Sequence, residues 1–167
     1  ILDFSKIEAG VMSLNRQDFD LADLVNGLSE MFAFQCKDKG ILLRLENNIK
    51  NCIPVEGDQR KIRQVLLNLL GNAVKFTDKG EVKLVLNKLE DDKYNFSIID
   101  TGSGISEQDL KGVLKAFHQT MAGQEKGGTG LGLAICTRLL ELMDSQLVLK
   151  STLNQGSSFS FTLKLPK

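Results

Sequence analysis

The chain has only three cysteines, a single histidine, no net charge and no long apolar run. Cys36, Cys52 and Cys136 are odd in number and far apart, and none stands in a C-x-x-C pair or another metal-ligand spacing. They read as reduced thiols of a cytosolic domain, not as a disulfide framework or a metal site. Lys+Arg and Asp+Glu each total 21, and no extended basic patch is legible, which disfavours nucleic acid as the main partner. No apolar run approaches the roughly 20 residues that span a bilayer, and the opening Ile1-Leu2-Asp3-Phe4-Ser5-Lys6 lacks a signal-peptide pattern. The chain is therefore expected to be soluble. Because it begins without Met, inside what already reads as helix, it is expected to be a fragment whose parent could carry an upstream anchor in the inner membrane. Neither internal repeats nor low-complexity segments are present.

What is there fits one domain of 167 residues with a short appendage. Ile1 to Ala9 reads as the last turns of a helix stopped by Gly10. Asp20 can cap a helix through Leu21, Leu24, Val25, Leu28, Met31 and Phe32, spaced to share one face, with Gly40 ending it. Ile41, Leu43 and Leu45 alternate as a strand, and Gly57-Asp58 opens a second helix to about Phe76. Val82, Leu84, Leu86 and then Tyr94, Phe96, Ile98 alternate around the acidic turn Glu90-Asp91-Asp92, which predicts an antiparallel hairpin. Thr101 to Thr129 is Gly-rich and polar, broken by a short helix from Glu107 to Phe117, and reads as a mobile functional loop. A third long helix, Leu131 to Met143, precedes strands at Leu147-Leu149 and Phe159 to Leu165. The expected fold is an α/β two-layer sandwich: a mixed, mostly antiparallel sheet with three helices on one face.

Three stretches carry chemistry. Asn68, Asn72 and Lys75 stand at i, i+4 and i+7 of the second helix, between apolar flanks. An unsatisfied buried amide costs on the order of 1–3 kcal/mol. Such a stripe therefore caps neighbouring backbone, faces water or meets a ligand, and hard amide oxygens with an ammonium suit Mg²⁺ and phosphate. The stretch Ile98-Ile99-Asp100-Thr101-Gly102-Ser103-Gly104-Ile105 ends a strand in a carboxylate followed by glycines that let backbone approach a ligand. That carboxylate could accept from the adenine amino group, which guanine lacks at that position. Gly127-Gly128-Thr129-Gly130-Leu131-Gly132-Leu133 opens the third helix, where N–H groups and the dipole favour an anion. It is neither a Walker loop nor a dinucleotide fingerprint, since no Gly-Lys-Ser/Thr follows and no strand precedes it.

Together these segments resemble, in order, the boxes of the histidine kinase branch of the Bergerat ATPase superfamily. Gln64 to Thr77 is similar to the asparagine box, Asp100 to Ile105 to the first glycine box, Leu114 to Gln119 to the phenylalanine box, and Gly128 to Leu133 to the second glycine box. Gly156-Ser157-Ser158-Phe159 fits the strand entry that follows, and Leu2 to Gly10 is similar to the end of the second dimerisation helix of hybrid kinases. The resemblance implies the end of that helix and a linker over residues 1–15, and an ATP-binding catalytic domain over 16–167. It implies ATP and Mg²⁺ as cofactors, with Asp100 on adenine, Asn68 and Asn72 on Mg²⁺ and the phosphates, Lys75 on the phosphates, and Gly128, Gly130 and Gly132 shaping a lid. Phe76, Gly102, Gly104, Ile105, Phe117, Lys126, Thr129 and Leu131 complete the implied nucleotide site, and Thr162 its adenine end.

The implied reaction moves the ATP γ-phosphoryl group to a histidine on a dimerisation domain, with a response-regulator receiver domain downstream and a homodimeric parent. The fragment itself is expected to be a monomer that does not phosphorylate itself, because its one histidine, His118, falls in the lid. Hydrolytic relatives carry Glu at the position of Asn68, and an amide is no general base. The family's Glu-Pro-Phe is here Lys115-Ala116-Phe117, the lid from His118 to Lys126 is short, and the usual Gly-Gly after the third helix is Asp144-Ser145. The first two departures leave room for an ATP-binding module that regulates a partner by conformation without transfer. An aspartic protease, which Asp100-Thr101-Gly102 also matches, needs two such carboxylates on an all-β fold and is set aside.

Overall fold

The computed structural model describes residues 2–49, 52–115, 121–128 and 130–167. Its main sheet has five strands in the order β2 (Leu42–Asn47), β4 (Glu81–Lys88), β5 (Lys93–Asp100), β7 (Gly156–Lys164) and β6 (Val148–Thr152). Only β2 and β4 run parallel, and β4 to β6 pair antiparallel throughout. Alternation decides which side is covered. Tyr94, Phe96 and Ile98 of β5 meet Leu163, Phe161 and Phe159 of β7 in register, all buried, and Phe96 stacks on Phe161 at 4.9 Å.

Three long helices cover that side: α2 (Leu21–Lys39), α3 (Gln59–Phe76) and α6 (Gly132–Leu142). Asp20 caps α2, its side chain accepting from Ala22 and Asp23 N–H, and Gly40 ends it at φ 72°. Met31, expected among the buried residues of α2, sits at the edge of that face and is 44% exposed. Asp58 caps α3 through Lys61 N–H, and its buried carboxylate also accepts from Asn15 N–H at 2.8 Å and pairs with Lys61 at 2.9 Å. One end of the core is closed by a feature the sequence does not reveal. A two-stranded sheet of β1 (Gln17–Asp20) and β3 (Pro54–Gly57) puts Val55 inside, and Glu56 N–H donates to Pro166 O at 2.6 Å. Four-residue strands are too short for periodicity to mark.

The remaining helices are short. α1 (Leu2–Glu8) turns at Gly10 and places Ile7 against the core beside α6. Of the helix expected from Glu107 to Phe117, residues 116 and 117 lie outside the described ones, and up to Lys115 it is α4 (Glu107–Leu110) followed by turns closed on Asp109 and Gly112 carbonyls. α5 (Met121–Glu125) was not expected. The family's paired glycines after α6 are replaced without breaking the helix end. Asp144 adopts φ 56°, a left-handed conformation Asp tolerates, and Ser145 N–H closes on Leu140 O at 2.8 Å.

Candidate nucleotide site

The site begins where β5 ends. Asp100 is a buried carboxylate, 6% exposed, opposite Ser157 of β7 in the ladder. Gly102 N–H donates to its Oδ1 at 2.9 Å. Burial pushes the carboxyl above the ordinary range, and the Gly102 and Ser157 N–H groups only partly counter this. No cation is among these causes, so the group is an acceptor supported by backbone alone. After Asp100 the chain lies against the C-terminal end of α3. Ser103 N–H donates to Phe76 O at 3.2 Å, and any side chain at Gly102 would run into that same carbonyl.

These elements enclose a cavity of about 370 Å³, within the ~300–1,000 Å³ usual for small-molecule sites. One wall is the C-terminal half of α3, with Asn72, Ala73, Lys75 and Phe76, and the Lys75 ammonium lies 5.3 Å from the centroid of the Phe76 ring. Ser103, Gly104, Ile105 and Val113 form the opposite wall. Asp100, Ser157 and Phe159 line it from β5 and β7, as do Gly123 of α5 and Gly127, Gly128, Gly130, Gly132 and Leu133 where the chain enters α6. One cavity thus brings together a buried carboxylate, an amide, an ammonium and a glycine-rich helix entrance.

Of the residues singled out from the sequence, Asn72, Lys75, Phe76, Asp100, Gly104, Ile105, Gly128, Gly130 and Gly132 line this one cavity. Others are placed elsewhere. Asn68 does not line it. Its amide nitrogen reaches Gly132 O at 3.5 Å, and the side chain bonds the thiol of Cys136, which burial pushes up to about 12. Asn68 thereby joins α3 to α6. Gly102 supports Asp100 from behind, and Leu131 is buried at the start of α6. Lys126 turns from the cavity to Lys75 O and Asp78. Thr162 is a correction of both face and distance. Its neighbours Phe161 and Leu163 point to the core, so it faces the other side of the sheet, where Asn95 Nδ2 donates to its Oγ1 at 3.1 Å. It also stands five residues beyond Ser157, about 17 Å along the strand at ~3.4 Å per residue. Phe117, His118 and Thr129 lie outside the described residues.

Ser157, like Phe159 and Val113, lines the cavity without having been singled out as a site residue in the sequence. Its signal was present in the Gly156-Ser157-Ser158-Phe159 entry, but only the β5–β7 register sets it opposite Asp100.

Residues 57–167 match the family model described as histidine kinase-, DNA gyrase B-, and HSP90-like ATPase. Over 170 residues the chain is 36% identical to the autoinducer 2 sensor kinase/phosphatase LuxQ of Vibrio cholerae, covering 99% of this chain and 20% of the relative. It is 38% identical over 173 residues to the signal transduction histidine-protein kinase BarA of Escherichia coli, covering 99% of this chain and 19% of BarA. The chain thus spans about a fifth of the length of these curated relatives. Among solved structures, full-length ShkA in complex with AMPPNP aligns at TM-score 0.85 and 30% identity, over 99% of this chain and 34% of ShkA. The catalytic domain of histidine kinase ThkA aligns at 0.78 and 25% identity, over 92% of this chain and 99% of that one.

Proposed function

The chain belongs to the histidine kinase-, DNA gyrase B-, and HSP90-like ATPase family, and from that premise we propose that it binds Mg-ATP and transfers the γ-phosphoryl group to a histidine on a dimerisation domain of its parent protein. The observation that carries this reading is the buried carboxylate of Asp100 in the same cavity as Asn72, Lys75 and the glycine-rich entrance to α6. Asp100 accepts from the exocyclic amine of adenine. Guanine offers a carbonyl there, and two acceptors facing each other in a buried site are repulsive, so ATP is selected over GTP. Phe76, Ile105 and Phe159 supply apolar surface for the base.

In the same cavity Lys75 neutralises phosphate charge and the backbone entering α6 donates N–H groups to it. The donor set fits Mg²⁺, which takes one or two protein oxygens and completes its shell with phosphates and water. Asn72 would hold it. Among the described residues no cluster of His, Cys, Asp or Glu competes for a metal. When bound, Mg²⁺ offsets charge on the phosphates. In the transfer itself an imidazole nitrogen of the acceptor bonds to the γ-phosphorus as its bond to the ADP oxygen breaks, so positioning does most of the catalytic work.

Residues 1–15 are the end of a dimerisation helix and its linker in this reading, the parent is a homodimer passing phosphate to a receiver domain, and the site works on the cytoplasmic side. Among the described residues no helix is long and apolar enough to cross a membrane. The test is calorimetry with ATP and GTP, with and without Mg²⁺, followed by incubation with a purified histidine-bearing dimerisation domain. Magnesium-dependent ATP binding and an acid-labile, base-stable phosphate on that domain are expected. Binding without transfer would instead favour a regulatory ATP-binding module, the reading that Lys115-Ala116-Phe117 in place of Glu-Pro-Phe keeps open.

A further inference from the structure

The C-terminal end of α3 gathers charge that the nucleotide site does not use. The last carbonyls of a helix lack intrahelical partners and carry partial negative charge, and here two lysines from distant parts of the chain satisfy them. Lys39, at the end of α2, donates to Val74 O at 2.6 Å and lies 3.7 Å from the Asp78 carboxylate. Lys126, just past α5, donates to Lys75 O at 2.8 Å and to Asp78 Oδ1 at 2.8 Å. Lys126, and to a smaller extent Lys39, holds the Asp78 carboxyl below its ordinary range.

What makes this more than a surface ion pair is where its two ends lead. Lys126 sits between Gly123 and Gly127-Gly128, all three of which line the cavity. The carbonyl it grips belongs to Lys75, whose side chain lines the same cavity. The ammonium thus ties this glycine-rich segment to α3 across 51 residues of sequence, and Asp78 gives that ammonium its second, charged partner. The resemblance implied that Lys126 meets the nucleotide, but the geometry directs it to the helix end.

We propose that Asp78 is a positioning residue of the nucleotide site, acting through Lys126 to hold residues 121–128 over the cavity; this rests on the function proposed above. Asp78 is 75% exposed in its side chain and Lys126 30%, so global stability changes little while the local tether is lost. The tether is also sensitive to salt, which screens exposed charges. An exposed pair at full strength corresponds to at most about a fivefold change in an equilibrium.

The test uses the whole chain and its Asp78→Ala, Lys126→Ala, doubly substituted and Asp78→Glu forms. Affinity for a fluorescent ATP analogue with Mg²⁺ is read at low and high salt, and amide hydrogen exchange of residues 121–128 is read without nucleotide. Either single alanine should weaken binding about two- to fivefold at low salt and speed exchange in 121–128. The double form should be no weaker than the worse single one, Asp78→Glu should restore the wild-type values, and high salt should shrink every difference. Wild-type behaviour of Asp78→Ala would overturn the proposal. So would a loss confined to Lys126→Ala, which would put the lysine on the phosphates directly, or losses that add. If the wild-type chain takes up no nucleotide, the proposed function fails, and the exchange comparison still decides the tether.

Discussion

Replacing Gly104 by alanine tests how the wall of the site is built, because one methyl group meets two separable obstacles. Gly104 adopts φ +66°, a left-handed conformation that costs an L-residue roughly 1–2 kcal/mol. The added Cβ would also run into Thr152 O and stand 2.8 Å from Thr152 C, about 0.7 Å inside the ~3.5 Å at which carbons pack. The β6–β7 turn cannot retreat freely, since Asn154 N–H donates to Ser103 O at 2.7 Å and ties the turn to this same loop. Overpacking of that kind costs about 1–3 kcal/mol. The sum, about 2–5 kcal/mol, corresponds to a fall in Tm of roughly 4–20 °C for a domain of this size. Gly40→Ala isolates the first term, because Gly40 has φ +72° but nothing within 4 Å of an added Cβ. Gly104→Asn isolates the second, since asparagine tolerates the left-handed conformation while its Cβ still meets Thr152. Calorimetric or urea unfolding of the three variants should rank Gly104→Ala as most damaging, Gly104→Asn close to it and Gly40→Ala mildest. A Gly104→Ala protein as stable as Gly40→Ala would refute the steric account of this wall.

Two carboxylates should move stability with pH in opposite senses. The Asp100 carboxyl is raised by burial, so its ionisation costs the folded state in full above its folded pKa, and the cost vanishes as pH falls below the ordinary value of 3.8. Asp100→Asn should therefore be more stable than wild type at pH 7, with an advantage that shrinks toward pH 4, while calorimetry shows its ATP affinity reduced. Unchanged affinity would remove Asp100 from the adenine site. Asp58 behaves the other way. Burial raises its carboxyl, but the Asn15 N–H and then Lys61 outweigh it, leaving the carboxyl below its ordinary range. Its contribution is complete above 3.8 and is lost as pH falls through the lower folded value. Asp58→Ala should cost about 1–3 kcal/mol at pH 7 through the lost cap and the stranded Asn15 N–H. Thermal melts should find the gap to wild type closing in acid, and a gap independent of pH would mean the carboxylate charge contributes nothing.

Local rules made much of this molecule legible in its residues. Asp20, Gly40 and Asp58 mark helix ends because caps are decided within a few residues, and alternation at Val82, Leu84, Leu86 and at Tyr94, Phe96, Ile98 marks a hairpin because a strand must bury every second side chain. The ordered glycine and asparagine segments were enough to place the chain in its family. Tertiary structure decided what depends on partners distant in sequence. The β1–β3 pair is too short to carry a pattern, and Ser157 reaches Asp100 only through the register of β5 with β7. Thr162 was implied at the adenine end by the family resemblance alone, and strand parity turns it to the other face of the sheet. Asn68 and Asn72 look equivalent on a helical wheel, yet α6 packs over the first and takes its amide, leaving the second to the cavity. The contacts of Lys126 have the same origin: a charged side chain goes to the nearest anion and carbonyl that folding brings within reach, and the Lys75 carbonyl and Asp78 come near it only when the chain closes on itself.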